Sequence, residues 1–321
     1  MKTLVITNMY PDSRGNKGIF VKEQVESLIR FHGLNVDVFN LDKPKFGFFR
    51  KYICNIFPLA KKIFKYNPNI IHIHYGLSFF PVLLLLPIIK LKGIKVIVTF
   101  HGSDVLGGSS LVKLISQLAF YLSNKSIAVS DELNGVLTNK LTESSNKLSV
   151  IPCGIDTDFF NPNNRNIQTN EKIIIFPSSP DRPEKNFDYF LDVFTNISKS
   201  HNVKYRALEN LSRKEVKELY SISSLMLLTS DREGSPQVVK EAYASGLPVI
   251  SRNVGDVERL SHICTGVYVV NSKEEMIIKV GEVLKAYELE GMKSDETESV
   301  FLNTYSNKII SGKIMELYKQ C

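Results

Sequence analysis

Two glutamates eight positions apart, Glu233 and Glu241, stand in the string SDREGSPQVVKEAYASGLPVI that runs from Ser230 to Ile250. Ser235 suits a helix N-cap, Pro236 the first helical position and Gly246 the residue just past the end. The string therefore predicts a helix of about ten residues that starts immediately after Glu233-Gly234. Its first amides, around Gln237 and Val238, together with the positive end of the helix dipole, make a site suited to an anion such as a diphosphate. Gly234 lets the backbone approach closely. One carboxylate can then face a sugar while the other accepts hydrogen bonds from a ribose diol. The same spacing also describes a capped surface helix with two solvated glutamates, and spacing alone does not choose between them.

The surrounding chain supplies elements that could hold such a site. Leu4 to Ile6, Val36 to Phe39, Ile70 to His74, Lys95 to Phe100, Ser126 to Val129 and Leu148 to Ile151 read as strands. They alternate with helix-like runs such as Gly18 to Arg30, where Ile19, Val25, Leu28 and Ile29 share a face. A second series starts at Lys172 to Phe176, after the Asn-rich stretch Asn161 to Asn170, which has the composition of a linker. It continues through Val203 to Ala207, Leu225 to Leu228, Leu247 to Ile250 and Gly266 to Val270. Strands alternating with helices imply parallel sheets, so we expect two doubly wound α/β domains joined near residue 160. Ligands of such folds sit beyond the carboxyl ends of the strands, here expected in the cleft between the domains.

Bulk properties narrow the class. A chain of 321 residues is comfortable for two domains of about 150 residues each. The net charge of +7 favours anionic partners, but 40 Lys and Arg stand against 33 carboxylates and no nucleic-acid motif accompanies them, so no nucleic acid is expected. Four scattered cysteines, with no C-x-x-C, read as ordinary thiols of a reduced compartment, and we expect a cytoplasmic location. Leu77 to Leu91 is the most apolar segment, but Pro81 and Pro87 interrupt it and it falls short of the roughly twenty residues that span a bilayer, so it reads as a buried helix. Phe46 to Tyr66 interleaves aromatics with Lys and Arg. It fits either a basic amphipathic helix on anionic lipid or a domain helix with a solvated basic face. His72 and His74 share a strand face, but with no third ligand and no acidic D-x-D we expect no metal. Ser130-Asp131 lacks the context of a nucleophile elbow.

EGSPQVVKEAYASGLPVI followed by VGDVERL resembles the E-x(7)-E family of retaining GT-B glycosyltransferases (glycosyl transferases group 1, family 4). MYPDSRGNKGIFVKEQVESL is similar to that family's N-terminal loop and first helix, and NPNIIHIHYG and VTFHGSDV to its third and fourth strands. VIPCGIDTDFF is similar to its interdomain signature and DRPEKN to its phosphate loop. The resemblance implies a GT-B fold of two Rossmann-like domains. An acceptor-binding domain would span residues 1–160, with the C-terminal helix 303–321 crossing back to it, and a nucleotide-sugar domain residues 161–302. Phe301 to Tyr318 reads as one helix, and by the resemblance Phe301, Ile309, Ile310, Ile314, Leu317 and Tyr318 would be its contacts with the first domain. It further implies a metal-independent hexosyl transfer, with no cofactor, from a nucleotide-sugar donor to a glycan or lipid-linked acceptor, by family habit in cell-surface polysaccharide synthesis. Weak association with an anionic membrane is compatible with such acceptors.

Residue by residue, the resemblance assigns Glu233 to the transferred sugar, Glu241 to the ribose hydroxyls, Lys185 to the diphosphate and His101 to the donor sugar's hydroxyls. Gly18 would lie under the donor phosphates, and Gly234, Ser235, Gln237 and Val238 would line the donor site. Asp104 and His74 would shape the loop or meet the acceptor. One departure stands out. The family's phosphate loop carries an Arg about five residues before its Lys, where this chain has Pro180; Arg182 is the guanidinium left to take its place. The segment around Ala207 to Asn210 lacks the family's glycine-rich turn, so the nucleobase is not legible. A GT-B nucleotide-sugar epimerase and a non-catalytic nucleotide-sugar-binding protein are the alternative readings.

Overall fold

The computed structural model describes residues 1–11, 17–41, 47, 49–138, 146–162, 172–289 and 297–321. Most of the expected linker, Phe46 and Phe48 lie outside them. The chain divides into two compact units, Met1–Gly154 with Asn307–Cys321, and Ile155–Ser306.

The first unit alternates β1 (Lys2–Thr7), α1 (Ile19–His32), β2 (Asn35–Asn40), α2 (Ile56–Tyr66), β3 (Ile70–His74), α3 (Phe80–Leu91), β4 (Lys95–Phe100), α4 (Ser110–Leu122), β5 (Lys125–Ala128), α5 (Asp131–Thr138) and β6 (Leu148–Val150). The six strands form a parallel sheet in the order β2-β1-β3-β4-β5-β6. Both faces are covered, which is why β4 reads as a near-continuous apolar run. Period-two alternation sorts their side chains. Ile71, Ile73, Val96, Val98 and Phe100 join one core with residues of α2 to α5. Ile70 and Ile97 join Leu28 of α1 in the opposite core. Gly18 opens α1 at φ 79°, and a Cβ there would lie 2.4 Å from the backbone of Met9, so a side chain is excluded both by conformation and by space.

The second unit repeats the plan with β7 (Lys172–Phe176), α6 (Phe187–Ser198), β8 (Val203–Ala207), α7 (Arg213–Ile222), β9 (Leu225–Leu228), α8 (Gln237–Ala244), β10 (Val249–Arg252), α9 (Val257–Ile263), β11 (Val267–Val270), α10 (Lys273–Leu289) and α11 (Thr297–Tyr305). Its parallel sheet has the order β11-β10-β9-β7-β8. The last helix, α12 (Asn307–Lys319), returns to the first unit and lies with α1. There Ile310, Ile314, Leu317 and Tyr318 complete the core over Ile70 and Ile97, each burial contributing roughly 2 kcal/mol.

Three expectations change. The C-terminal helix is two helices meeting at Ser306, and Phe301 packs on Tyr243 and Tyr305 of the second unit instead of on the first. The apolar run Leu77 to Leu91 is not wholly buried: α3 leaves Leu84, Ile88 and Leu91 exposed. In α1, Ile29 is exposed and Val21 takes its place in the buried stripe.

Candidate functional site

In a doubly wound sheet, ligand sites gather where the winding reverses, at the carboxyl edge. In the second unit β8 and β9 lie on opposite sides of β7, so the reversal falls between β7 and β9. The loops leaving these two strands carry Lys185 and Glu233. Lys185 Nζ donates to Glu233 Oε1 at 2.6 Å, and both side chains are largely shielded from solvent. The loops are stitched to each other by backbone and side chain. Asp231 N donates to Glu184 O at 3.0 Å, Thr229 Oγ1 to Lys185 O at 3.1 Å, and Asn186 Nδ2 to Asp231 Oδ1 at 2.9 Å. Arg252, at the end of β10, donates to the same Asp231 Oδ1 at 2.5 Å. A cation and a carboxylate are thus held together on a cross-braced edge. Arg182 is not part of that pair. Its guanidinium points to Glu184, 2.6 Å away, and is half exposed.

Glu241 sits on α8 and is 1% exposed. Arg213 Nη2 donates to its Oε1 at 2.8 Å and Tyr220 OH to its Oε2 at 3.5 Å. Burial and the Glu241 charge push the Tyr220 phenol well above its ordinary range, so it stays protonated and able to donate. Sequence reasoning missed Arg213. It lies at the start of α7 behind a Ser212–Glu215 capping box, which reads as an ordinary helix start.

Ser235 does not cap α8. The N-cap is Pro236 and no side chain caps the helix. Ser235 Oγ instead donates to Asp256 Oδ2 at 2.8 Å. Lys240, fully buried, donates to the same carboxylate oxygen at 2.7 Å and to Ser235 Oγ, with its ammonium 4.9 Å above the Tyr305 ring. The expected cap residue is thus drawn aside by a buried ion pair next to Glu233 and Gly234. Gln237 and Val238, the first two residues of α8, are partly exposed. Gly255 explains part of the close fit: a Cβ on it would lie 2.8 Å from Gly234 O.

In the first unit the winding reverses between β1 and β3. His101 follows β4, partly exposed, with the Phe20 ring 4.7 Å from its own. Behind it His74, fully buried, places Nδ1 3.1 Å from His101 Nε2 and Nε2 3.4 Å from Gln24 Nε2. His74 is therefore withdrawn from solvent and not placed to meet an acceptor. His72, stacked 4.4 Å from His74, is held by Tyr318 OH at 2.6 Å and Thr99 Oγ1 at 2.7 Å. Both ring nitrogens of His72 and of His74 are engaged. Asp104 is fully buried and staples the loop. Its Oδ1 accepts from His101 N at 3.0 Å and Gly102 N at 2.9 Å, and its Oδ2 from Gly76 N at 2.8 Å. Burial pushes its carboxyl up to about 6, although these amides pull the other way.

The buried histidines make a prediction. Burial drives His72 down to about 3 and His74 well below its ordinary value, with neighbouring histidines adding to both. Below pH about 6.5 the unfolded chain takes up protons that the folded chain refuses, so stability is complete above that pH and is lost as pH falls toward 3. Each histidine should cost about 1.4 kcal/mol per pH unit in that window. Urea unfolding should show lower stability at pH 5 than at pH 7, about 2 kcal/mol of the drop coming from His72 and more from His74, partly offset by Asp104, whose raised carboxyl takes up a proton in the folded state. Equal stability at the two pH values would refute the burial argument.

Two protein-family descriptions match the chain: Glycosyltransferase Family 4 over residues 4–159 and Glycosyl transferases group 1 over residues 201–291. The N-acetyl-alpha-D-glucosaminyl L-malate synthase of Bacillus anthracis is 26% identical over 279 residues, covering 76% of this chain and 73% of that protein. Among solved structures, sucrose-phosphate synthase from Thermosynechococcus elongatus superposes with a TM-score of 0.81 at 15% identity, over 100% of this chain and 99% of that one. Anabaena Alr3699/HepE in complex with UDP-glucose gives 0.71 at 12% identity, over 99% and 100%. At these identities the structural likeness speaks for the fold: two parallel-sheet α/β domains of the GT-B kind.

Proposed function

We infer the reaction from one premise: the chain is a glycosyltransferase of the family 4 and group 1 type, with one family's domain in each half. On this reading it moves a hexose-type sugar from a nucleotide-sugar to a hydroxyl of a glycan or lipid-linked acceptor, with the anomeric configuration retained, and serves the synthesis of a cell-surface polysaccharide. The observation that carries it is the Lys185–Glu233 pair, 2.6 Å across, at the winding reversal of the second unit beside the start of α8. Lys185 and the first amides of α8 receive the diphosphate, Glu233 faces the sugar and Glu241 the ribose. The bond from the anomeric carbon to the diphosphate oxygen breaks and the acceptor oxygen bonds to that carbon on the same face. The acceptor's proton passes to the departing phosphate. Positive charge grows at the anomeric carbon and negative charge on the leaving group, and preorganised groups of opposite sign stabilise each. Alr3699/HepE was solved with UDP-glucose, which makes that donor the first to try here.

The experiment is a panel of UDP-, GDP- and ADP-sugars scored by the shift in melting temperature and then by transfer. A nucleotide that protects the protein while no sugar reaches any acceptor would favour a binding protein over an enzyme.

Because Lys185 and a helix start supply the positive charge in this reading, activity should persist in EDTA. Activity lost in EDTA and restored by Mn²⁺ or Mg²⁺ would overturn the metal-independent mechanism.

Peripheral association with an anionic membrane forms part of the reading. On α2 the outward face carries Phe57, 78% exposed, and Phe64 two turns on, with Lys61 and Lys65 between and beside them. Lys92, just past α3, stands 5.3 Å over the Phe64 ring, near the exposed Leu91. Apolar side chains within a lysine rim suit a lipid interface with negative headgroups. No described helix is long and apolar enough to cross a membrane. The protein should sediment with phosphatidylglycerol vesicles at low salt and not with phosphatidylcholine vesicles, and Phe57→Ser with Phe64→Ser should release it. Equal behaviour with both lipids would remove the membrane from the account.

A further inference from the structure

Three residues of the first unit make a chain of polar contacts that ends on an atom with no partner. Gln24 on α1 approaches His74 Nε2, and His74 Nδ1 approaches His101 Nε2. His101 Nδ1 makes no hydrogen bond among the described residues, and His101 is a partly exposed residue just beyond the carboxyl end of β4. The two buried contacts are coupled. A neutral imidazole has one N–H and one bare nitrogen, so whichever role His74 takes toward Gln24 it takes the opposite one toward His101. Burial holds both histidines far below their ordinary values, and the rings are neutral near pH 7.

We propose that Gln24 and His74 are positioning residues that set the tautomer of His101 and thereby decide what its exposed edge offers a ligand. The Gln24 amide N–H donates to His74 Nε2. His74 therefore carries its proton on Nδ1 and donates it to His101 Nε2. His101 is left with its proton on Nδ1, so the open edge is a hydrogen-bond donor, fit for a hydroxyl or carbonyl oxygen that can accept. A donor there fixes the orientation of a sugar hydroxyl, whose own proton must then point elsewhere. The Phe20 ring at 4.7 Å and the Asp104 carboxylate on the His101 backbone N–H hold the imidazole in place, so its tautomer and not its orientation is the variable. Gln24 lies fifty positions from His74, and nothing in its sequence context marks it.

The role of His101 at a sugar rests on the transferase reading, while its tautomer does not, and the two are measured separately. Histidine ring nitrogens of the full chain are labelled with ¹⁵N, and His101 is assigned by the signals lost in His101→Gln. Wild type should show His101 with a protonated Nδ1 and a bare Nε2, and His74 likewise protonated on Nδ1. A His101 protonated on Nε2 would overturn the proposal without any variant being needed. In Gln24→Met, which removes the polar partner and keeps the length, the His101 signals should move toward a mixture of tautomers. Transfer, measured as kcat/KM for the donor, should fall about tenfold, the size of one lost hydrogen bond of about 1.5 kcal/mol. An unchanged His101 tautomer in that variant would show that Gln24 does not set it. A shifted tautomer with unchanged transfer would show that no ligand reads the Nδ1 edge.

Discussion

Glu233→Gln should lower kcat about 100-fold or more while leaving the donor KM within a few-fold of wild type. The carboxylate sits at the winding reversal of the second unit, 2.6 Å from Lys185. In the proposed reaction the sugar carbon becomes cationic only as the bond to the diphosphate breaks. A negative group that faces it contributes in the transition state and hardly at all before, which is the signature of an effect on kcat. Loss of one preorganised electrostatic contact typically costs 10²- to 10³-fold. Glutamine keeps the volume and leaves an amide oxygen for Lys185 Nζ, so the cross-braced loops should persist. Steady-state kinetics at saturating acceptor, with a melting curve as control, measure this. A kcat within a factor of two of wild type would remove Glu233 from the reacting sugar.

Glu241→Gln should raise the donor KM roughly tenfold with little change in kcat, because contacts to a ribose are nearly equal in ground and transition states. A charged hydrogen bond of about 1.5 kcal/mol corresponds to that factor. The structure adds a second consequence. Glu241 is buried and neutralises Arg213 at 2.8 Å, so the amide leaves a guanidinium short of its partner. The variant should also lose about 1–3 kcal/mol of stability. Glu241→Gln is therefore a less clean probe of nucleotide binding than the helix position alone suggests. Arg213→Gln is the matching control: loss of the pair alone should lower stability, whereas a ribose contact of Glu241 should make its own KM effect the larger. Equal KM effects from both variants would mean that the ion pair, and not a ribose contact, is what Glu241 contributes.

Most of the scaffold was legible because it depends on local pattern. Strand runs such as Lys95 to Phe100 and the helix-like run Gly18 to Arg30 appear close to where the pattern places them, since covered parallel strands and amphipathic helices leave that signature. What escaped was non-local. Ser235 satisfies every local rule for an N-cap, yet its hydroxyl goes to Asp256, twenty-one positions on, and to the buried Lys240. Arg213 and Glu241 pair across twenty-eight positions, with nothing in either neighbourhood to announce it. The apolar positions from Phe301 to Tyr318 read as one helix, but Phe301 and Ile310 belong to cores of different units and the helix is interrupted at Ser306 between them. Of the candidate site, the pairing of Lys185 with Glu233 follows from sheet order, which a strand list does not contain. The resemblance named both residues but could not say that they touch.

The anomeric configuration of the product distinguishes retention from inversion and from binding without transfer. Wild-type protein is incubated in EDTA with each sugar nucleotide of the panel and an extract of lipid-linked and soluble glycans, and the new linkage is read by ¹H NMR. One α-linked donor should be consumed and its sugar should reappear in α linkage. Consumption of an α-linked donor with a β-linked product, or nucleotide binding with no donor consumed at all, would contradict retaining transfer.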